Sequence, residues 1–373
     1  MVDSDGHNNQ GSSYESSCLT TAQPIDLSGY PAVQLQFYNQ YRKWTDEECY
    51  VEVSTNNTDW ATDLDPNSDL SQYPNVFKVF PGMATQAPFT NPTLRTINLT
   101  AVAGGQSQVW VRFHWTGIYG YLWFIDDVNL STPPDNDLTL GDTWLVGDPG
   151  NYSDATVRNL EYTRLPLEQA SPLSVKALVT NSGGVAQQNV VLTATINGTA
   201  YSSDPLPTLA AGLSDSIVLN TGWTPSAAGM VDVQLGLASD DPNDANPADN
   251  GRTRSFLVTG PDDADGNSVM ALDTNALDGW YRVNADAAND ALAVRYQIDN
   301  PGSVAYGAGF AFYSETTDNT IVDIHLINDA GDDLAFVESF QIPVEYENEA
   351  GGSHFVNVPF DVPVELDPAS DYE

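Results

Sequence analysis

Apolar and polar positions alternate with a period of two along most of the chain. The apolar runs are bounded by Gly, Pro, Asn and Asp, while the spacing of an amphipathic helix is nearly absent. This pattern predicts an all-β protein built of short strands. In the first third the clearest strands are "PAVQLQFYNQY", "ECYVEVST", "LRTINLT", "SQVWVRFHW" and "YLWFIDDVNL", separated by polar turns. Their spacing suggests a two-sheet sandwich.

"STPPDNDLTLGD", Ser131 to Asp142, then concentrates Pro, Asn and Asp, which places a boundary near Pro134. Beyond it "LSVKALVTNSGG", "NVVLTATING", "SDSIVLNTGWTPSAAG", "MVDVQLGLAS" and "TRSFLVTG" supply the strand count of an Ig-like sandwich. "GPDDADGNSV" opens a third segment with "ALAVRYQIDN", "GAGFAFYS", "NTIVDIHLIND" and "HFVNVPFDVPVEL". The expected architecture is therefore three tandem β-sandwiches: a jelly roll over 1–133, an Ig-like sandwich over 134–260, and a second jelly-roll-like sandwich over 261–373. The last run, "PFDVPVELDPASDYE", stops where another strand should begin, so the third sandwich is expected to be truncated and the chain to be part of something longer.

A length of 373 residues is too great for one ordinary core and fits two or three domains. The charge changes the picture further: 51 acidic residues against 12 basic ones give a formal net charge of -39. Such a surface repels nucleic acid and anionic membranes and attracts divalent cations. With 41% hydrophobic and 10% aromatic residues, the chain can still build packed cores. No apolar run reaches the ~18 residues of a membrane-spanning helix, so membrane insertion is not expected. The opening "MVDSDGHNNQ" lacks the basic start and apolar stretch of a secretory leader, which suggests either a cytosolic protein or an excised segment with an added Met1. Cys18 and Cys49 are the only cysteines and could form a disulfide in an oxidising compartment; two buried thiols explain them equally well.

Hydrolytic machinery is not indicated. His7, His114, His325 and His354 are the only histidines, and none lies in an HExxH pattern or near a GxSxG elbow. His114 alternates with Trp110 and Arg112 in "VWVRFHW" and reads as a strand residue on a half-exposed face. Paired-carboxylate glycosidase chemistry needs acids on an aromatic concave face, and the strands carry few besides Glu52, Asp126 and Asp127. No catalytic residue is assigned.

Calcium suits the acidic turns better, because it takes roughly six to eight hard oxygen ligands gathered from carboxylates and carbonyls. The candidates are Asp3 and Asp5 in "DSDG", Asp46, Glu47 and Glu48 in "WTDEE", and the Asp126/Asp127 pair. None of these stretches, nor "DDADGN" at 262–267, completes an EF-hand loop, so a site must be assembled from distant segments. Uninterrupted alternation through Phe124, Asp126, Val128 and Leu130 would turn Asp126 into the core, where an unpaired carboxylate is costly. A metal ion, Arg112 on the neighbouring strand, or a set of backbone donors would be its partner. "SDDPNDANPADNG", Ser239 to Gly251, is the densest acidic loop; it could bind a cation, and its simpler reading is a long solvated hairpin. Tyr38, Tyr41, Trp44, Tyr119, Tyr121 and Trp123 could supply an aromatic platform for carbohydrate, although most such side chains pack in cores.

Taken in order, "TTAQPIDLSGYPAVQLQFYNQY", "CYVEVSTNNTDW", "VWVRFHW" and "YLWFIDDVNL" resemble the MAM-like jelly-roll domains of secreted bacterial proteins, including the cleaved-adhesin and choice-of-anchor J groups. The resemblance implies a structural calcium held by Asp126 and Asp127 with Asp3 and Asp5. Where such domains often read "VSTDGG-x-W", this chain has "VSTNNTDW", so no ligand is expected in that turn. The middle segment resembles a CARDB-type Ig-like module through "PLSVKALVTNSGGVAQQNVVLTATING" and "DPNDANPADN". The third is similar to the β-rich spacers of large exported proteins of the Bacteroidetes.

Together these readings lead to a non-catalytic segment, extracellular or on the cell surface, for adhesion or ligand binding. Carbohydrate or another protein surface would be its partner, and calcium would stabilise the first domain. An accessory region of a secreted peptidase or glycosidase is the alternative. A self-associating subunit of an extracellular polymer is a third possibility, since an unfinished sandwich leaves an open edge.

Overall fold

The computed structural model describes residues 15–81, 83, 92–118, 120, 122–145, 161–261, 268–273, 293–311, 320–342, 355–368 and 370–372. The chain is all-β, as its alternation predicts. It divides into two compact units: Met1–Thr143 with Val175–Leu219 and Gln234–Thr253, and Trp144–Ser174 with Asn220–Val233 and Arg254–Glu373.

The first unit opens with β1 (Glu15–Thr20), β2 (Gln34–Gln40), β3 (Glu48–Ser54), β4 (Val76–Lys78), β5 (Thr93–Asn98), the single-turn helix α1 (Thr100–Ala103), β6 (Trp110–Gly117) and β7 (Phe124–Ser131). These form two sheets, ordered β1-β6-β3-β4 and β5-β2-β7. Inward residues of both build one core: Leu35 and Phe37 from β2, Cys49, Val51 and Val53 from β3, and Val111, Phe113 and Trp115 from β6. Alternation places the intervening β3 residues on the other face, yet every β3 residue is buried. The reason is the excursion that follows β3, whose Ala61 and Leu64 pack with Tyr50 and Val76 into a smaller cluster outside the sheet.

Two expectations fail here. Cys18 and Cys49 lie on β1 and β3, the two strands that flank β6, opposite His114 and Trp115 respectively. Two strand spacings separate them by roughly 9 to 10 Å, beyond the ~7 Å that a disulfide spans. Cys49 is buried in the core and Cys18 is exposed, so both are free thiols.

Alternation along β7 is also interrupted. Its pairing with β2 shifts between Gln36 and Tyr38, with Asn129 across from Gln36 and Asp126 across from Tyr38. Asp127 takes φ 50°, the left-handed conformation that Asp and Asn tolerate in a bulge. Trp123 and Ile125 therefore face the core and Asp126 faces solvent. The inward parity expected for Asp126 is wrong, and so is the demand for a buried partner.

The same unit continues with β8 (Leu138–Trp144), which reaches one residue past its limit. The middle segment contributes β9 (Glu161–Pro166), β10 (Ser174–Asn181), β11 (Gln187–Ile196), β12 (Thr199–Ser202), β13 (Leu206–Leu209), β14 (Ser214–Asn220), β15 (Gly229–Ala238) and β16 (Gly251–Thr259). β10 lies between β14 and β8, and β11 pairs antiparallel with both β12 and β13. In-out alternation along β10, and along β11 from Val190 onward, buries Val175, Ala177, Val179, Val190, Leu192, Ala194 and Ile196.

In the second unit β16 runs parallel to β9, and β17 (Ala271–Asp273) closes antiparallel on β9. Next come β18 (Tyr296–Gln297), β19 (Val304–Ala311), β20 (Ile321–Ile327), β21 (Asp333–Gln341), β22 (Phe355–Glu365) and β23 (Asp371–Tyr372). β19 pairs with β22 and β20 with β21, and the two ladders share a core of Ile324, Val356, Val358 and Phe360.

Candidate metal centre

Asp137 ends the stretch between β7 and β8. Its main-chain oxygen accepts from Ser182 N at 2.7 Å and Gly183 N at 3.1 Å, which pins it against the turn after β10. That turn needs its glycine, because a Cβ on Gly183 would lie 2.6 Å from Asp135 O. Asn98 secures the turn from the other side, donating from Nδ2 to Ser182 O at 2.7 Å and Gly183 O at 2.9 Å.

The loop between β15 and β16 brings Asp244 and Asp249 to the same place. Asn136 O accepts from Ala245 N at 2.9 Å and Asn136 Nδ2 donates to Asp241 Oδ2 at 2.8 Å, so the loop folds back on the linker. Asp244 accepts from Leu138 N at 2.7 Å and from Asn246 N at 2.9 Å, and Asp249 Oδ2 accepts from Asn246 Nδ2 at 2.7 Å. One carboxylate oxygen from each of Asp137, Asp244 and Asp249 lies within 4.8 Å of the other two, and all three residues are half-buried.

Three like charges at this distance repel. Burial, then Asp249 and Asp244, push the Asp137 carboxyl up to about 6, and burial with Asp244 raises Asp249 as well. Asp137 Oδ1 and Asp249 Oδ1 are shielded from water without a hydrogen-bond partner, as is Oδ1 of Asn250, which follows Asp249 in sequence. An all-oxygen set with unused acceptors and surplus negative charge suits a hard divalent cation. These residues could hold one.

The acids singled out from sequence are placed differently. Asp126 and Asp127 are exposed and border an open groove with Tyr38, Asn39 and Phe124, where Asp126 Oδ1 accepts from Asp127 N at 2.8 Å. Asp3 and Asp5 lie outside the described residues, as do 262–267. Glu47 is fully buried and accepts from Thr45 N at 2.8 Å, and Glu48 pairs with Lys43 and Lys78, so the "WTDEE" acids are bound by the protein's own donors.

Among the aromatics, Trp123 is no surface platform: it is 4% exposed and meets Phe37, Phe80 and Phe113 edge to face. Tyr41 is buried too, stacked on Phe80, while Tyr38 stays exposed. Trp44 is half-buried under Arg42, and Tyr119 and Tyr121 lie outside the described residues.

His114 is buried, at 4% exposure, where a half-exposed position was expected. Its Nδ1 lies 2.8 Å from Glu52 Oε1 and its Nε2 2.7 Å from Ser16 Oγ. Burial opposes its charge, but hydrogen bonds with Cys18 and Glu52 outweigh that and hold its pKa up at about 9. Glu52, fully buried, takes its second oxygen to Ala61 N at 3.1 Å. Arg112, expected as a partner for Asp126, instead lies 3.6 Å from Glu52 and over the Trp60 ring.

Fold and site define an all-β chain whose Ig-like middle portion helps to gather an acidic, metal-competent cluster. Within it, residues 153–251 match the CARDB family. Among solved structures, a CARDB domain from Pyrococcus furiosus in complex with di-metal ions is 19% identical, over 34% of this chain and 92% of that one, with a TM-score of 0.25. The GH2 β-galacturonidase of Eisenbergiella tayi is 8% identical over 66% of this chain and 35% of that one, with a TM-score of 0.24. A Bacteroides uniformis β-glucuronidase is 13% identical over 66% of this chain and 26% of its own, at 0.23. This chain thus spans about a third or less of those two enzymes. No curated protein matches.

Proposed function

We propose that the chain is a non-catalytic, extracellular binding or adhesion segment of a larger protein, stabilised by a divalent cation at Asp137, Asp244 and Asp249. The observation that carries the cation is the convergence of three half-buried carboxylates with two oxygens shielded from water and unpartnered. Calcium is the ion of choice because every donor is a hard oxygen and two of the three acids come from a loop, which tolerates irregular coordination. The cation would tie the linker after the first sandwich to the long loop before β16. The binding role draws support from the CARDB match and from the first segment's resemblance to MAM-like domains of secreted proteins.

Calorimetric titration of the full chain with calcium tests the site. Asp137→Asn should abolish binding while Asp126→Ala leaves it intact, and the reverse pattern would move the site to the β7 pair. For the wider role, the purified chain should bind immobilised glycans or cell surfaces without altering them. Turnover of a glycan or peptide substrate would overturn the non-catalytic reading.

A further inference from the structure

The outer face of the β1-β6-β3 sheet carries a second group of metal-capable side chains, with different donor chemistry. Cys18 on β1 stands directly across from His114 on β6, and Glu52 on β3 approaches the same ring from the opposite strand. One ligand atom of each, a sulfur, an imidazole nitrogen and a carboxylate oxygen, lies within 4.8 Å of the other two. We propose that Cys18, His114 and Glu52 bind a thiophilic divalent cation of the zinc class.

Three observations beyond proximity support this. His114 has both ring nitrogens hydrogen-bonded, to Ser16 Oγ and to Glu52 Oε1, so its orientation is set by neighbours on two strands; an ion would replace one of these bonds, and the other would keep the ring in place. Arg112 makes no hydrogen bond to Glu52: its guanidinium lies 3.9 Å from the centre of the Trp60 ring, and the 3.6 Å to Oε1 is longer than a hydrogen bond. Finally, a free cysteine is ordinarily among the most buried residue types, and here it is exposed beside a buried histidine.

The donor set separates this site from the acidic cluster. Thiolate and imidazole favour borderline and soft ions, whereas calcium takes oxygen. Three protein donors, with Cys18 at the exposed edge of the group, also leave a position for water or an exchangeable ligand, as in zinc sites that do more than hold a fold. Binding displaces one proton from the thiol and one from the imidazolium, and the dication takes over the positive charge beside Glu52.

Cobalt substitution tests the proposal on the full chain. Titrating cobalt(II) should produce a sulfur-to-cobalt charge-transfer band in the near ultraviolet, lost on adding zinc and unaffected by calcium. Cys49 is buried in the core on the other face of the sheet, so the band reports Cys18. Cys18→Ser, at an exposed position, should abolish it, and Glu52→Gln should weaken cobalt affinity by about tenfold or more. Circular dichroism checks that both variants are folded. Absence of the band in the wild-type chain, or its persistence in Cys18→Ser, would overturn the site.

Discussion

The two clusters of metal-capable side chains solve opposite electrostatic problems. On the sheet face, Glu52 is wholly buried, yet both of its oxygens are engaged and His114 carries the compensating charge. At the linker, Asp137 is only half-buried, but its neighbours are two more acids and its Oδ1 has no partner. Burial alone therefore does not mark a carboxylate that needs a cation. What marks it is the balance of charge the fold places around it. Rigid strands supply that balance for Glu52, whereas two loops bring Asp137, Asp244 and Asp249 together with no basic residue among them.

The largest effect that would sharpen this contrast is removal of Glu52. Glu52→Ala leaves a buried imidazolium without its counter-charge and should destabilise the protein by about 3 to 5 kcal/mol, read from the denaturant midpoint. Next is calcium at the acidic cluster. At ~100 times its dissociation constant it should stabilise by about 2.7 kcal/mol, and a chelator should remove that gain. Identical unfolding curves with and without chelator would erase the contrast.

The pH dependences should then fall in separate windows. A histidine raised to about 9 from the ~6.5 of an unfolded chain stabilises fully below ~6.5, and that contribution disappears as pH rises through 9. Asp137, raised to about 6 from ~3.9, stabilises fully below ~3.9, and without calcium its contribution disappears as pH rises through 6. Melts in chelator should show both declines. Added calcium should flatten the lower one only, and His114→Gln should remove the upper one. The smallest effect belongs to Asp126→Ala, which should change stability by no more than about 0.5 kcal/mol, because the residue is exposed.

Sequence patterning disclosed the fold class because period-two alternation is a local property: β2, β3, β10, β20 and β22 each fall within an expected run, and β6 and β11 overlap theirs, β6 running on to Gly117 and β11 starting at Gln187. It missed β21, whose "DLAFVESFQ" carries Asp333 at its start and Glu338 within it, and β1, whose "ESSCLT" has almost no apolar content. The sites were harder to see because they depend on pairing between distant strands and loops. "DPNDANPADN" was visible as an acidic loop, and Asp137 as part of a polar linker, but nothing local joins residues 137 and 244. Likewise His114 reads as half-exposed until the excursion after β3 is known to cover its face.

The bulge in β7 has a consequence for how this strand tolerates change. Written without Asp127, the stretch becomes W-F-I-D-V-N-L, an unbroken in-out sequence from Trp123 to Leu130. Asp127 thus behaves as an insertion that the strand absorbs by looping one residue out, leaving Val128 53% exposed. Its deletion is a frame correction: the ladder to β2 would close across from Phe37, Val128 would move from solvent to core, and the acidic pair would cease to exist.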